Sequence, residues 1–476
     1  MKRGRKAPIT TINQSYQNNS YDEDDEGDET QLFLDSEQHQ DVLVHKKKLS
    51  SKNKFYGITE SHQYEQDENE VLKYHQKQRH LEDVGHWWTF AKRRDVRRWL
   101  LTLITGFLCG LVALFVTFFT KVITKAKLSM FTVLLDKEIS GDVTYGTAFL
   151  FLLLINLVLA TTAWYAVYIE PLAAGSGIPE IKCFLNGLNI PRIVRVKTLI
   201  CKALGTVFSC SASLPIGKEG PMVHAGSVIA AGISQGKSNT LGFDTHFSKY
   251  QDFRNDKEKR DFVACGAAAG VAAAFGSPIG GVLFSLEEGT SFWSTRLTWR
   301  CFFCAMTTVF TVYIINSAST LFGHSDSTAM FSFGEFFSLE GEESNYSVWE
   351  LSFFILIGCM GGVIGALFNY VNTKVFNLRE TYTKTARLRL VEVLAITAIY
   401  TIIAYFLPLA WSKCTALPVD MEEWSDQEKT LVELLVPLYC DSDSEYNELA
   451  SLYLTDSDTA IKQLFHFREI GLSSKF

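Results

Sequence analysis

Six uncharged apolar runs constrain this chain more than any other feature of its sequence. The runs cover residues 99–120, 145–169, 262–286, 301–322, 351–373 and 393–411. Each is about as long as the roughly 19-residue stretch that crosses a bilayer as a helix. Charged residues make up 20% of the 476-residue chain, but they lie outside these runs. The sequence therefore predicts an all-α polytopic membrane protein.

The distribution of positive charge predicts an orientation for these helices. Five basic residues stand immediately before the first run: Lys92, Arg93, Arg94, Arg97 and Arg98. Because positive charge stays on the cytosolic side, we expect a cytosolic amino terminus. A second basic loop at residues 374–389 agrees with this count of spans. Other charges beside the runs, such as Lys202, are interpreted as boundary residues.

Polar segments flank and interrupt the membrane body. Residues 1–95 lack an apolar period and contain no secretory signal, so we expect a mostly disordered cytosolic tail. The remaining predicted segments are a first membrane half at 96–322, a luminal loop at 323–350, two helices of a second half at 351–411 and a luminal tail at 412–476.

The predicted luminal segments carry two features of secretory compartments. The sequon Asn345-Tyr346-Ser347 is a candidate glycosylation site. Of the ten cysteines, Cys414 and Cys440 alone share one polar segment. If that segment faces an oxidising lumen they can form a disulfide, and otherwise they stay free thiols. The other cysteines lack metal-ligand spacing, so no metal site is predicted.

The motif Gly217-Lys218-Glu219-Gly220-Pro221 places charge between two short apolar segments, 203–216 and 222–234. Neither segment is long enough to cross a bilayer alone, and charge inside a membrane is costly, which favours a functional role. The glycines let the backbone leave helical geometry, and Pro221 suits the first position of a new helix. Free N–H groups at such a helix start attract anions. The alternative is a Lys218–Glu219 charge patch at the membrane surface.

A second motif, Gly175-Ser176-Gly177-Ile178-Pro179-Glu180, repeats this logic. Two helix N-termini are thus predicted to converge on one point. There the Ser176 hydroxyl and the following N–H groups could coordinate a halide, and a helix N-cap is a simpler role compatible with it. Glu219 would lie at the same point, where its carboxylate imitates the transported anion and leaves when protonated.

Two acidic residues, Glu287 and Glu288, follow the run 262–286, which Gly276-Ser277-Pro278 divides into two predicted antiparallel halves. Acids beside a low-dielectric interior are expected to have raised proton affinity, which suits proton entry. The alternative is an ordinary pair of acids at the cytosolic boundary.

Three motifs resemble those of the ClC chloride channel and transporter family. They are GSGIPE at 175–180, GKEGP at 217–221 and GAAAGVAAAFGSPIGGVLFSLEE at 266–288. The context IKCFLNGLNIPRIVRVKTL at 181–199 and HAGSVIAAGISQGKS at 224–238 is most similar to the lysosomal or late-endosomal proton/chloride exchanger branch.

This resemblance implies an inverted-repeat fold and coupled movement of chloride against protons. It implies that Ser176 is the inner anion ligand, Glu219 the external gating glutamate and Glu288 the internal proton glutamate. The other implied anion-binding residues are Gly175, Gly177, Ile178, Pro179, Gly217, Lys218, Gly220 and Pro221. It also implies a homodimer in a lysosomal or late-endosomal membrane and a glycosylated single-pass accessory subunit on the luminal face. No cofactor besides the transported ions and no nucleic acid is expected.

Compared with the family pattern, this sequence supplies the first membrane half and two helices of the second. The second-half anion-coordinating tyrosine and the nucleotide-binding CBS domains have no counterpart in it, so a truncated form or short isoform is expected. Three functions stay open: a proton-coupled chloride antiporter, a passive chloride channel, and a non-transporting protein that pairs with full-length subunits. Glu288 argues against the channel, because channels in the family lack this second acid. An enzyme is not expected, because no phosphate loop, metal cluster or nucleophile constellation is present.

Overall fold

The computed structural model describes residues 60–62, 64, 70–85, 87–236, 253–321, 349–410, 414–416, 435–436, 438–440, 445–455, 460–461 and 464. In chain order its elements are β1 (Glu60–Ser61), α1 (Glu70–Glu82), α2 (Phe90–Ile139), α3 (Thr147–Ile169), a 3-10 turn (Pro171–Ala173), α4 (Ile178–Leu185), β2 (Leu188–Asn189), α5 (Val196–Ser211), α6 (Glu219–Gln235), α7 (Asp256–Phe275), α8 (Pro278–Leu283), a π-helical turn (Phe284–Gly289), α9 (Thr295–Leu321), α10 (Glu350–Tyr382), α11 (Ala386–Ala410), β3 (Cys414–Ala416), β4 (Glu445–Asn447) and α12 (Glu448–Leu454).

Among the described residues, five helices are long and apolar enough to cross a membrane: α2, α3, α9, α10 and α11. Each covers all or nearly all of one of the uncharged runs, so five of the six runs form continuous helices to within two residues. The run 262–286 does not. Its helix α7 stops where Gly276 takes a left-handed conformation (φ 64°), and Ser277 caps α8 by accepting a hydrogen bond from the Gly280 amide. The interruption falls at the predicted glycine and proline.

Helix α2 is longer than its apolar run requires. At about 1.5 Å per residue its 50 residues extend roughly 75 Å, more than twice the ~30 Å hydrocarbon thickness. Both ends therefore project beyond a bilayer. We call the end around Arg98 the basic end and the end around Glu138 the disulfide end.

The core of the molecule is the pair α6 and α7. Small residues allow them to touch: a Cβ on Gly226 would overlap the Gly266 carbonyl oxygen, and the reverse is also true. Phe262 and most of the alanines that follow it in α7 are fully buried. These helices are enclosed by protein, whereas α10 has no buried residue.

Part of the segment predicted to be disordered has regular structure. Strand β1 pairs antiparallel with β2, joining Glu60 to Asn189. Tyr64 is buried, and its hydroxyl donates to the Phe184 carbonyl oxygen at 2.5 Å. The Arg260 guanidinium lies over the Tyr64 ring. Tyr64 of the predicted tail at residues 1–95 thus docks on α4 and α7. Most of that tail lies outside the described residues, so its mostly disordered character stays a prediction.

A small module closes the disulfide end. Strands β3 and β4 pair antiparallel, and Cys414 and Cys440 are joined by a disulfide bond. Glu138, near the C-terminus of α2, accepts hydrogen bonds from the amides of Gly146 and Ala148. Most of the predicted loop 323–350, including Asn345, lies outside the described residues.

Candidate functional site

The structure brings the two Gly/Pro motifs into contact. Helix α6 begins at Glu219, and α4 begins at Ile178 after Gly177, whose φ of 82° is left-handed. The Cα of Gly220 lies directly against Ser176: an added Cβ would come within 2.6 Å of the Ser176 Cβ. Two helix N-termini, whose first N–H groups have no partner within their own helices, therefore meet at Ser176.

Ser176 precedes the N-cap position of α4 instead of occupying it. Gly177 is the N-cap, and the Ser176 hydroxyl accepts a hydrogen bond from the Ile178 amide at 3.4 Å. The serine remains exposed, so its hydroxyl is accessible to a ligand.

Pro221 is the third residue of α6, not the first as predicted. The first i to i−4 hydrogen bond of the helix runs from the Met222 amide to the Lys218 carbonyl oxygen, immediately after the proline. The first-turn N–H groups of a helix have no partner within it, so a proline at this third position removes no hydrogen bond.

The Glu219 carboxylate folds back over its own loop. A Cβ on Gly217 would overlap the Glu219 carboxyl group, so the two are in van der Waals contact and Gly217 leaves the space that the carboxylate occupies. The side chain is half-buried at the start of α6, where the helix dipole favours negative charge.

A buried lysine–histidine pair lies next to the start of α4. Lys202, on α5, is 3% exposed, and its ammonium donates to Nδ1 of His224 at 2.9 Å. The other ring nitrogen donates to the Ile193 carbonyl oxygen at 3.0 Å, which fixes a neutral imidazole. Gly177 packs against this ring so closely that a Cβ there would overlap it.

Lys202 is therefore not a boundary residue as the sequence indicated. Its ammonium also lies 3.5 Å from the Ala174 carbonyl oxygen, at the entry to the Ser176 motif. The sequence signal was its place inside the apolar helix α5, but the partner that explains it lies on α6.

Glu288 lies outside the membrane-spanning helices, in the π-helical turn. Its carboxylate accepts a hydrogen bond from the Lys182 ammonium of α4 at 2.7 Å. This bond and the charge of Lys182 hold the pKa of Glu288 below its ordinary value. The expectation of raised proton affinity is therefore wrong for this residue, because its carboxylate is exposed to solvent and a cation on another helix stabilises the charged form.

The basic end is held together by Glu258 in the first turn of α7. Arg98 donates to both its oxygens, at 2.5 and 3.2 Å, and Arg94 donates at 3.3 Å. Burial alone would raise the pKa of Glu258, but the Arg98 hydrogen bond and the charges of Arg98, Arg300 and Arg94 bring it below its ordinary value. Glu258 thus ties α2 to α7 as a carboxylate.

Cys414, Cys440 and Glu445 lie close enough together to resemble a metal site. The disulfide bond occupies both sulfur atoms, so they are not available as thiolate ligands.

The apolar helices and the overall fold define a polytopic α-helical membrane protein, and this chain belongs to the voltage gated chloride channel family. The profile of that family matches residues 157–467. The H(+)/Cl(-) exchange transporter 7 of Homo sapiens is 38% identical over 411 residues, which are 86% of this chain and 48% of that protein. Chloride channel protein D of Dictyostelium discoideum is 43% identical over 324 residues, 68% of this chain and 31% of that protein.

A solved eukaryotic CLC transporter shares the fold. Its TM-score is 0.51 at 17% sequence identity, and the match covers 75% of this chain and 55% of that one. The predicted family and the predicted ClC-type helical fold are both confirmed. The chain spans about half the length (48%) of the exchange transporter 7 relatives that it matches.

Proposed function

We propose that this chain belongs to a protein that moves chloride against protons across an organelle membrane. The observation that carries the proposal is the contact of Ser176 with Gly220, which sets two helix N-termini and the Glu219 carboxylate at one point. Helix N-termini bind anions through N–H groups and the dipole. The relatives named as H(+)/Cl(-) exchange transporters support the choice of ions.

In the proposed mechanism, Glu219 and chloride compete for one site. The carboxylate rests at the start of α6, against Gly217, as a built-in anion. Protonation removes its charge and its attraction to the helix start, so the side chain leaves and chloride takes its place. Loss of the proton restores the carboxylate and expels the anion. Ser176 and the N–H groups after it would hold the chloride.

We assign proton entry to Glu288, on the exposed surface between α4 and the π-helical turn. Lys182 holds this carboxylate ionised, so a proton must displace the lysine ammonium to be loaded there. Helix α4 carries both the Lys182 side chain and, at its other end, the Ser176 motif. This arrangement supports a link between proton loading and the anion site. It also disfavours the passive channel, for which this acid would have no use.

The proposal also covers the orientation of the protein in the membrane, its location and its partners. We place the basic end in the cytosol, because arginines concentrate there, and the Cys414–Cys440 disulfide in a lumen. The lysosomal or late-endosomal location rests on the resemblance of the sequence motifs to that exchanger branch. A homodimer and a glycosylated single-pass accessory subunit rest on the family resemblance alone, and no enzymatic reaction is assigned.

Simultaneous chloride and proton flux in proteoliposomes tests the proposal. The 476-residue chain and the longest product of its gene would be compared, each with and without Glu219→Ala. We expect coupled fluxes that lose their proton part in Glu219→Ala while chloride still moves. Glu288→Gln should lower proton flux, and the exposed neighbour Glu287→Gln is its matched control. Proton-independent chloride flux would indicate a channel, and no flux from either protein would favour the interaction protein.

A further inference from the structure

A buried lysine in α2 has no role in the site described above. Lys127 is 5% exposed, within the longest apolar helix of the described chain. Ile123, one turn earlier on α2, belongs to an apolar cluster that includes Ala212 and Leu214. An ammonium group in such surroundings is costly unless its hydrogens are bonded.

Three neutral acceptors surround the Lys127 ammonium. It donates to the Ser211 carbonyl oxygen at 2.6 Å, to the Ser213 hydroxyl at 2.6 Å and to Oδ1 of Asn156 at 3.2 Å. These bonds use all three of its hydrogens. No carboxylate of the described residues forms an ion pair with it, so these neutral groups are the hydrogen-bond partners that the described chain offers it.

The two serines mark the point where α5 ends and the Glu219 loop begins. Ser211 is the last residue of α5, so its carbonyl is one of those that a helix leaves unpaired. Ser213 has φ 56°, a left-handed conformation that helix ends usually give to Gly or Asn. A cation at this helix end interacts favourably with the helix dipole. Its hydrogen bonds to Ser211 and Ser213 also stabilise the left-handed turn. Only residues 214–218 separate this turn from Glu219.

Asn156, on α3, extends the hydrogen-bond network of Lys127 to α11. Its amide nitrogen donates to the Thr401 hydroxyl at 3.1 Å, and that hydroxyl donates to the Thr397 carbonyl oxygen on α11. Asn156 and Thr401 are each 1% exposed. One polar network thus joins α2, α3 and α11 to the end of α5.

We propose that Lys127 is a positioning residue for Glu219. It fixes the start of the 212–218 segment through Ser211 and Ser213, and it ties that segment to α11 through Asn156. The Glu219 side chain would therefore move while the segment before it stays fixed. A shift of α11 would be transmitted to Glu219 through these hydrogen bonds. The consequence for transport rests on the proposed function, but the positioning itself does not.

Hydrogen exchange of the purified protein in detergent tests the positioning without any need for transport. The Ala212 amide donates to the Phe208 carbonyl oxygen and the Ser213 amide to that of Cys210, so both report opening of the turn. We expect Lys127→Met to speed their exchange by about 10-fold or more, which corresponds to ~1.4 kcal/mol. Lys125→Met is the matched control, because Lys125 is exposed on the same helix. Unchanged exchange in Lys127→Met overturns the proposal.

A second variant keeps the test decisive if Lys127→Met disrupts the whole fold. If Lys127→Met also speeds exchange of the Ile181 amide in α4, the protein has opened generally. In that case Ser213→Ala is used instead of Lys127→Met. This variant removes one acceptor and leaves the Lys127 ammonium in place. A selective rise at Ala212 supports the proposal, and no rise contradicts it.

Flux measurements test the consequence of this positioning for transport. Fewer folded molecules would lower chloride and proton flux in proportion, whereas a loosened Glu219 loop lowers the number of protons moved per chloride. We expect that loss of coupling in Lys127→Met and its recovery in Lys127→Arg, which keeps a cation. An unchanged ratio of protons to chloride in Lys127→Met overturns the proposed effect on coupling. If the unmodified protein shows no coupled flux, the proposed function fails, while the exchange result still decides the positioning.

Discussion

The substitution Gly220→Ala tests the convergence of the two helix starts. A new Cβ would lie 2.6 Å from the Ser176 Cβ and 3.1 Å from its Cα. Carbon atoms in contact prefer ~3.5–4.0 Å, so Ser176 and the start of α6 must separate by about 1 Å. Overpacking of this kind costs about 1–3 kcal/mol, and the higher helix propensity of Ala offsets ~1 kcal/mol of it. We therefore expect a net loss of about 0–2 kcal/mol in the free energy of unfolding.

The effect on transport should exceed the effect on stability. A displacement of about 1 Å at a functional site can reduce a rate by ~10²-fold. The assays are chloride flux in proteoliposomes and thermal unfolding in detergent. Gly232→Ala is the matched control: it lies on the same helix with nothing within 4 Å of the added Cβ, so transport should persist and stability should rise slightly. Equal transport by the two variants would refute the reasoning.

Three further predictions concern charges and the disulfide. Glu258→Gln should destabilise the protein by about 3–5 kcal/mol at pH 7, because it breaks a buried ion pair. Since the folded pKa of Glu258 is below the ordinary 4.5, its contribution is present above that pH and is lost as pH falls through the folded value, as a pH series of unfolding measurements would show. Lys182→Met should raise the pKa of Glu288 towards its ordinary value and shift the pH dependence of proton flux upward. Replacement of Cys414 and Cys440 by serine should destabilise the module at the disulfide end by up to about 3.5 kcal/mol for a separation of 26 residues, measured by limited proteolysis.

Matched variants decide each of these outcomes. Glu287→Gln removes an exposed carboxylate and keeps Glu258, so its stability should follow the same pH dependence as that of the unmodified protein. A pH profile of proton flux that is the same with and without Lys182 would contradict its role at Glu288. Cys359→Ser changes an exposed free cysteine on α10, and equal proteolysis of this variant and the double serine variant would contradict the disulfide prediction.

Sequence predicted those features that depend on neighbouring residues. Uncharged runs became helices because a helix satisfies its own backbone and needs only apolar side chains in lipid. The interruption at Gly276 followed from glycine and proline chemistry within three residues. The GKEGP and GSGIPE motifs were recognisable for the same reason, since a helix start is encoded locally.

Features that depend on distant partners could not be predicted. The pKa of Glu288 is set by Lys182, which is 106 residues earlier in the chain, and no local pattern pairs them. Lys202 looks like a boundary residue until His224 is placed beside it by the packing of α5 on α6. Tyr64 stands in a polar segment, and its burial depends on a groove built by α4 and α7.

The central claim is that one anion binds where the starts of α4 and α6 converge. Anomalous diffraction from crystals grown in bromide, with the longest product of the gene carrying Glu219→Gln, tests it most directly. We expect a bromide peak within hydrogen-bond distance of the Ser176 hydroxyl, beside the N–H groups that begin α6. A crystal with ordered protein at this point and bromide bound elsewhere in the membrane body, but not here, would contradict it.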